Sequence, residues 1–347
     1  SMFEYELIYY PTTDDAEGFK RPEPDAVRGV SHRNLGPDKE AYRWHYLVEI
    51  NRDADDYTRI MDMLDLFGSS GDDDYFERLH ATIDVDQWLR SFAIQNLFGI
   101  GDNYANGSQH NMIMYFPPGR KAMFFPWDMD FTFSQGATSS IANNGDLSNM
   151  LDDGVAFRSY YAQMDELLQT VFNKGYMESW AEHYSTFLPR ENLASFVNYI
   201  DQRNRHVAGQ LRSRFDSVPF EITSMDGNDF DVASSTVTLE GTGWYNVASV
   251  RVNGVEYELT WVDRDRWELI VPLAVGENTV EVQALDVLGT TGSLFAPMGK
   301  DTITVTNTGS AASASAENLV ISEIMYHPAA ASASEMAAGF TDQRGSY

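Results

Sequence analysis

The chain has 347 residues, 43% of them apolar and 13% aromatic, with no cysteine and a formal net charge of −28. A chain this apolar is not disordered; without cysteine it has no disulfides, thiolate zinc sites or Cys nucleophile; and with so little basic charge it repels nucleic acid and anionic membranes. No run of about 18 apolar residues exists to span a bilayer, no signal peptide is visible, and the abrupt ends at Ser1 and Tyr347 read as those of a fragment holding two or three domains.

Up to about residue 217 the chain reads as helix-rich and aromatic. No Gly-rich phosphate loop precedes residue 80, and Lys20 and Lys39 sit in Pro- and Asp-rich stretches unsuited to gripping phosphate. Ser69 to Asp74 reads as a solvated loop. Asp84 then precedes Val85, Trp88, Leu89, Phe92 and Ala93, the spacing of an amphipathic helix with Asp84 as N-cap, ending near Gly99. A polar loop, 101–111, leads into a hairpin: a strand from Met112 to Phe116, a Pro117-Pro118-Gly119 turn and a strand from Lys121 to Pro126. Helices are expected at 158–174, 176–187 and 191–214, the last presenting Arg203, Arg205, Arg212 and Arg214 as a solvated face.

From 218 to 306 the pattern turns all-β. Ala248, Val250 and Val252 alternate with polar neighbours, Asn253-Gly254 turns, and Val255, Tyr257 and Leu259 alternate again. Strands are also expected at 267–271, 279–282 and 301–305, and this spacing of short strands points to an Ig-like sandwich. Asp226 to Asp231 lacks the ligand order of a calcium loop and reads as a turn. Residues 308–317 are a low-complexity flexible linker, and Leu319 to Pro328 reads as one more strand.

Chemistry concentrates in 96–134. Asp102 lies on a loop after a helix, Asn111 opens the hairpin, and Asp128 and Asp130 follow its end. Phosphoryl transfer needs one carboxylate to receive the proton of the attacking hydroxyl, and an amide oxygen with a second carboxylate to hold Mg²⁺ against the phosphates. The order loop, hairpin, Asp is also that of a protein-kinase catalytic centre. Asp102 has a plainer reading as a turn residue. His110 is expected to be a packed or supporting histidine and Trp127 a core residue. Asp128, after the apolar run 122–126, is expected to be costly to bury unless it binds something.

These residues carry a resemblance. Asp102, then His110-Asn111-Met112-Ile113-Met114-Tyr115, then Pro126-Trp127-Asp128-Met129-Asp130 resembles the signature of the spore-coat-H-type (CotH) kinase family over roughly residues 1–215. The resemblance implies a kinase-like fold acting on protein Ser/Thr hydroxyls outside the cytoplasm, with ATP and Mg²⁺ or Mn²⁺. It implies Asp102 as the catalytic aspartate, Asn111 as a metal ligand that also meets the nucleotide, Asp128 as the principal Mg²⁺ ligand, and Asp130 as a second ligand. In the family a glycine closely follows the Asp-x-Asp; here the first is Gly136. The family's N-terminal lobe, with its phosphate-gripping lysine, is expected to lie outside this chain, leaving the fragment inactive alone. Leu319 to Pro328 is similar to the opening strand of a bacterial lamin-tail domain.

The expected fold is therefore an α+β kinase-like (C-terminal lobe) domain over 1–217 and an all-β Ig-like sandwich over 218–307. The linker 308–317 and a truncated lamin-tail-like start over 318–347 follow. The expected protein is exported to the cell surface or beyond, meets a protein substrate or cell-surface protein, inserts in no membrane, and is tethered or displayed by its Ig-like modules. Two alternatives remain open: a non-catalytic surface or adhesion protein on a kinase-like scaffold, and a calcium-dependent polysaccharide- or cell-wall-binding assembly.

Overall fold

The computed structural model describes residues 1–5, 8–13, 20–28, 32–43, 45–108, 110–215, 218–291 and 299–310, with the backbone alone for 8–13 and 20–28. The end of the proposed linker and the lamin-tail-like segment, 311–347, lie outside the described residues.

Strands β1 (Met2–Tyr5), β2 (Ile8–Thr13), β3 (Lys20–Arg28) and β4 (Tyr46–Ile50) come first, β2 and β3 forming a separate antiparallel pair. Helices α1 (Thr58–Phe67), α2 (Tyr75–Thr82) and α3 (Val85–Phe98) follow, then β5 (Met112–Tyr115) and β6 (Met123–Pro126). Helices α4 (Gly145–Met150), α5 (Gly154–Thr170), α6 (Lys174–Ser185) and α7 (Leu193–Arg214) complete the helical unit. The predicted hairpin is thus half of a four-stranded antiparallel sheet, β4-β1-β5-β6. Its inner face carries Phe3, Tyr5, Met112, Met114 and Phe124, all buried.

Helix α3 lies against that face. Asp84 caps it by accepting from Gln87 N, as expected. Trp88 and Phe92 set their rings 5.2 and 5.3 Å from Phe124. The Gln87 amide exchanges two hydrogen bonds with the Phe124 backbone, so it pairs with β6 as a neighbouring strand would. The three later helices start at their caps: Asp153, Asn173 and Asn192 each accept a backbone N–H of the first turn. That is why they fall at 154–170, 174–185 and 193–214 instead of the expected limits.

Beneath the sheet His32 is packed among Tyr5, Tyr46, Phe67 and Tyr104. Complete burial pushes its imidazole down to about 3, so it is neutral. Asp146, in the first turn of α4, accepts from Tyr104 Oη, and burial pushes its carboxyl up to about 6. A carboxyl raised in the folded state stabilises the fold when protonated, and that contribution is lost as pH rises through about 6. Asp146→Asn should therefore raise stability by about 1–3 kcal/mol near pH 7.5, with the gain fading to nothing near pH 4. Urea denaturation at several pH values checks this. A loss of stability at neutral pH would instead mean that Asp146 pairs with a charged His32, 3.9 Å away.

After residue 218 come β7 (Glu221–Ile222), β8 (Phe230–Val232), β9 (Thr236–Thr242), β10 (Ser249–Val252), β11 (Val255–Tyr257), β12 (Thr260–Trp261), β13 (Arg266–Pro272), β14 (Gly276–Leu285) and β15 (Lys300–Asn307). They form two sheets, β11-β10-β14-β15-β8 and β12-β13-β9-β7, around one apolar core that includes Leu239, Val250, Trp267, Val282 and Ile303. The whole chain is an α+β mixture. Asn253 and Gly254 both have positive φ, as the tight β10–β11 turn requires. The segment 224–227 is a tight turn, so the reading of Asp226 to Asp231 as a turn holds at its start, whereas Phe230 and Asp231 belong to β8.

The two units share a junction. Trp244 and Tyr245, from the loop after β9, belong to the core of the helical unit. Arg158 of α5 is buried beside them and donates to the carbonyls of Trp244 (2.9 Å), Tyr245 (3.4 Å) and Val247 (2.8 Å). Its guanidinium lies 3.0 Å from the centre of the Trp261 ring.

Candidate active site

Three turns meet at the C-terminal end of α3. The helix stops at Gly99, whose φ of 58° is left-handed. A Cβ there would stand 2.0 Å from Tyr199 Oη, so glycine also lets α7 approach. The segment after Asp130 then pairs with the helix end. Phe133 N donates to Phe98 O (2.8 Å), Gln135 N to Gly99 O (2.9 Å) and Gly101 N to Phe131 O (3.3 Å). These bonds carry the Asp128-Met129-Asp130 turn to the Asp102 loop.

The hairpin supplies the third turn. Its register sets Met112 opposite Pro126, and Trp127 N donates to Asn111 O at 3.3 Å. Asn111 is buried, and its Nδ2 donates to Asp102 O at 3.0 Å. That bond fixes the amide with its oxygen as the end available to a ligand. Asn111 and Asp128 both have left-handed backbones, φ 58° and 46°, which Asn and Asp tolerate better than other side-chain-bearing residues.

Asn111 is therefore bonded to the Asp102 backbone, and the Asp128–Asp130 turn comes within electrostatic reach of the Asp102 carboxyl. Among the described residues the buried Asp102 Oδ1 has no hydrogen-bond partner. Burial raises the Asp102 carboxyl above its ordinary range; nearby His110 opposes this, and the charges of Asp130 and Asp128 add to it. Among the described residues no three His, Asp or Glu side chains are grouped to hold a metal ion. The hard-oxygen set on offer is the Asn111 amide with the Asp128 and Asp130 carboxylates, which suits Mg²⁺, an ion that takes one or two carboxylates and keeps waters.

Three expectations need correction. Asp128 is exposed, because the chain leaves the sheet at Trp127; its distinguishing feature is its backbone angle, not burial. Trp127 is not a core residue: it is 50% exposed, near the exposed Phe125 and Phe131. Arg203 is not part of a solvated face. It is buried and donates to the carbonyls of Asn96, Ala137, Ser139 and Ser140, so it clasps the loop after the Asp-x-Asp turn onto the end of α3. The signal was present, since Val197, Ile200, Arg203, Val207 and Leu211 are the buried positions of α7 at helical spacing. Lys39 pairs at the surface with Asp55.

No curated protein matches the chain. Among solved structures, the Bacteroides ovatus mixed-linkage glucan utilization locus SGBP-B in complex with mixed-linkage heptasaccharide is 14% identical, over 26% of this chain and 24% of that one, at a TM-score of 0.19. The chain thus spans about a quarter of that structure's length, and so loose an overlap bears on neither fold nor function. The family model described as CotH kinase protein matches residues 28–216, more than half of the chain and all of the site above. The chain belongs to the CotH kinase family.

Proposed function

We propose that the protein acts outside the cytoplasm as an atypical protein kinase, transferring the γ-phosphate of ATP to protein Ser/Thr hydroxyls with Mg²⁺ or Mn²⁺. The observation that carries this reading is the convergence of Asp102, with its buried unpartnered Oδ1, on Asn111 and the Asp128–Asp130 turn. Asp102 Oδ1 accepts the proton of the attacking hydroxyl. Asn111 and Asp128 hold the divalent ion, with Asp130 as second ligand. The ion, when bound, neutralises charge on the phosphates. Arg203 keeps the turn in register with α3. The two-sheet unit is read as an Ig-like sandwich that tethers or displays the kinase unit, with a protein or cell-surface partner.

The test is phosphotransfer from γ-labelled ATP by the longest natural form of the protein, beside Asp128→Ala. The variant should lose about 10²–10³-fold or more in activity, and should lose the rise in melting temperature given by ATP with Mg²⁺. A specific observation favours the non-catalytic scaffold: Asp128 and Asp130 are exposed, and among the described residues neither Asp102 nor any other acidic or histidine side chain is close enough to complete a three-ligand group with them. That reading wins if the wild type neither labels a protein nor is stabilised by ATP with Mg²⁺ or Mn²⁺.

A further inference from the structure

A cavity of about 370 Å³ opens at the junction of the two units, lined by α5, by Tyr245 to Ala248, and by Asp86, Trp261 and Val287. Asp86 is at the start of α3 and Asp102 lies beyond its end, so about 20 Å of helix separates cavity from active site. The cavity is therefore distinct from the phosphotransfer chemistry.

Its lining is built and incomplete. Asp165 is 6% exposed, accepts one hydrogen bond, from Gln169 Nε2, and is paired with no described cation. The like charge of buried Asp286 acts on it, and Asp286 is itself satisfied by Leu288 and Thr290. Nearby Glu166 is occupied by both guanidinium nitrogens of Arg90. Asn246 is 6% exposed and, among the described residues, its Nδ2 has no acceptor. Gln163 Oε1 is buried with no described donor, while its Nε2 is held by Asp86 O and Ser159 Oγ. Buried polar groups are normally bonded and buried charges paired. Asp165 and Asn246 break the rule on the same side of the cavity, where Asp165 acts on Tyr245, and describe what is missing: a cation with N–H donors for Asp165 and an oxygen for Asn246, while Gln163, two residues before Asp165, faces another side of α5.

A polyamine supplies the donors without the oxygen. A neutral polyol supplies donors and acceptors but leaves the carboxylate uncompensated. An arginyl residue supplies a planar set of donors, a permanent charge and a main-chain carbonyl a few bonds away. A chain of net charge −28 also favours basic partners.

We propose that this cavity binds an arginine side chain of a partner polypeptide, with the guanidinium on Asp165 and the peptide carbonyl on Asn246 Nδ2. The inference does not rest on the kinase reading, and its test does not use activity. The full chain is titrated calorimetrically with N-acetyl-arginine-N-methylamide, its citrulline counterpart and spermidine. The arginine amide should bind about tenfold or more tightly than the citrulline amide. Asp165→Asn, nearly isosteric and relieved of an uncompensated charge, should fold and erase that preference. Asn246→Ala should weaken both amides alike. Equal binding of the two amides, no binding of either, or arginine affinity unmoved by Asp165→Asn would overturn the site. Spermidine binding as tightly as the arginine amide would overturn its assignment to a polypeptide.

Discussion

Asp102→Asn should lower phosphotransfer turnover by about 10²–10⁴-fold while leaving the affinity for ATP with Mg²⁺ within about twofold of wild type. The selectivity follows from the geometry. Asn111 is anchored on the backbone carbonyl of Asp102, so the variant keeps that bond and the amide oxygen stays in place. What it loses is a carboxylate oxygen, Oδ1, that makes no hydrogen bond among the described residues. An oxygen left buried and unpartnered costs stability, so the neutral amide should not melt earlier than wild type. Parallel losses of turnover and nucleotide affinity would place Asp102 with Asp128 among the ligands. Undiminished turnover would leave Asp102 as a turn residue.

Arg158→Met should destabilise the protein by about 2–4 kcal/mol and split a single unfolding transition into two. Among the described residues Arg158 makes no hydrogen bond to a carboxylate; it is held by three backbone carbonyls of the loop 244–247 and by the Trp261 face. Burial lowers its pKa, with Asp265 opposing, so the charge itself is a cost and the carbonyls are what the side chain serves. Methionine fills much of the space but leaves those carbonyls without donors. Arg158→Lys should fall between the two, because a single ammonium cannot fan its donors across Trp244 O and Val247 O. Denaturation followed by both far-ultraviolet circular dichroism and tryptophan fluorescence reads the result. Coincident, unshifted transitions would mean that the ring packing of Phe215 on Tyr245, 4.8 Å apart, holds the junction alone.

What the sequence revealed depended on how local the signal was. Helix α3 was legible because Asp84, the apolar stripe and Gly99 all lie within one element, and the β10–β11 turn because Asn-Gly demands a particular backbone. Helix α1 carries an equally clear stripe in Ile60, Met63, Leu64 and Phe67, yet no chemistry drew attention to it. The four site residues were legible as a motif, but their exposure was not. Whether Asp128 is buried depends on where β6 stops, and Trp127 faces solvent because the chain has left the sheet. Arg203 and Arg158 were misread or passed over for one shared reason. Each satisfies backbone carbonyls more than 60 residues away in sequence, and no local pattern marks a carbonyl in need of a donor. The cavity at the junction was invisible because its lining comes from five separate stretches of chain.

The position of β1 has a kinetic consequence. Met2–Tyr5 lies between β4 and β5, with Met2 opposite Tyr115 and Ile50. Its pairing with β5 is therefore completed only after more than a hundred further residues have followed β1. Closing so large a loop is slow relative to forming the helices between its ends. Until then β5 presents an open edge to whatever strand arrives first. The vulnerable moment in folding is thus the wait of the β5–β6 hairpin for β1, and shielding that open edge would protect the two ends of the hairpin from which the site is built.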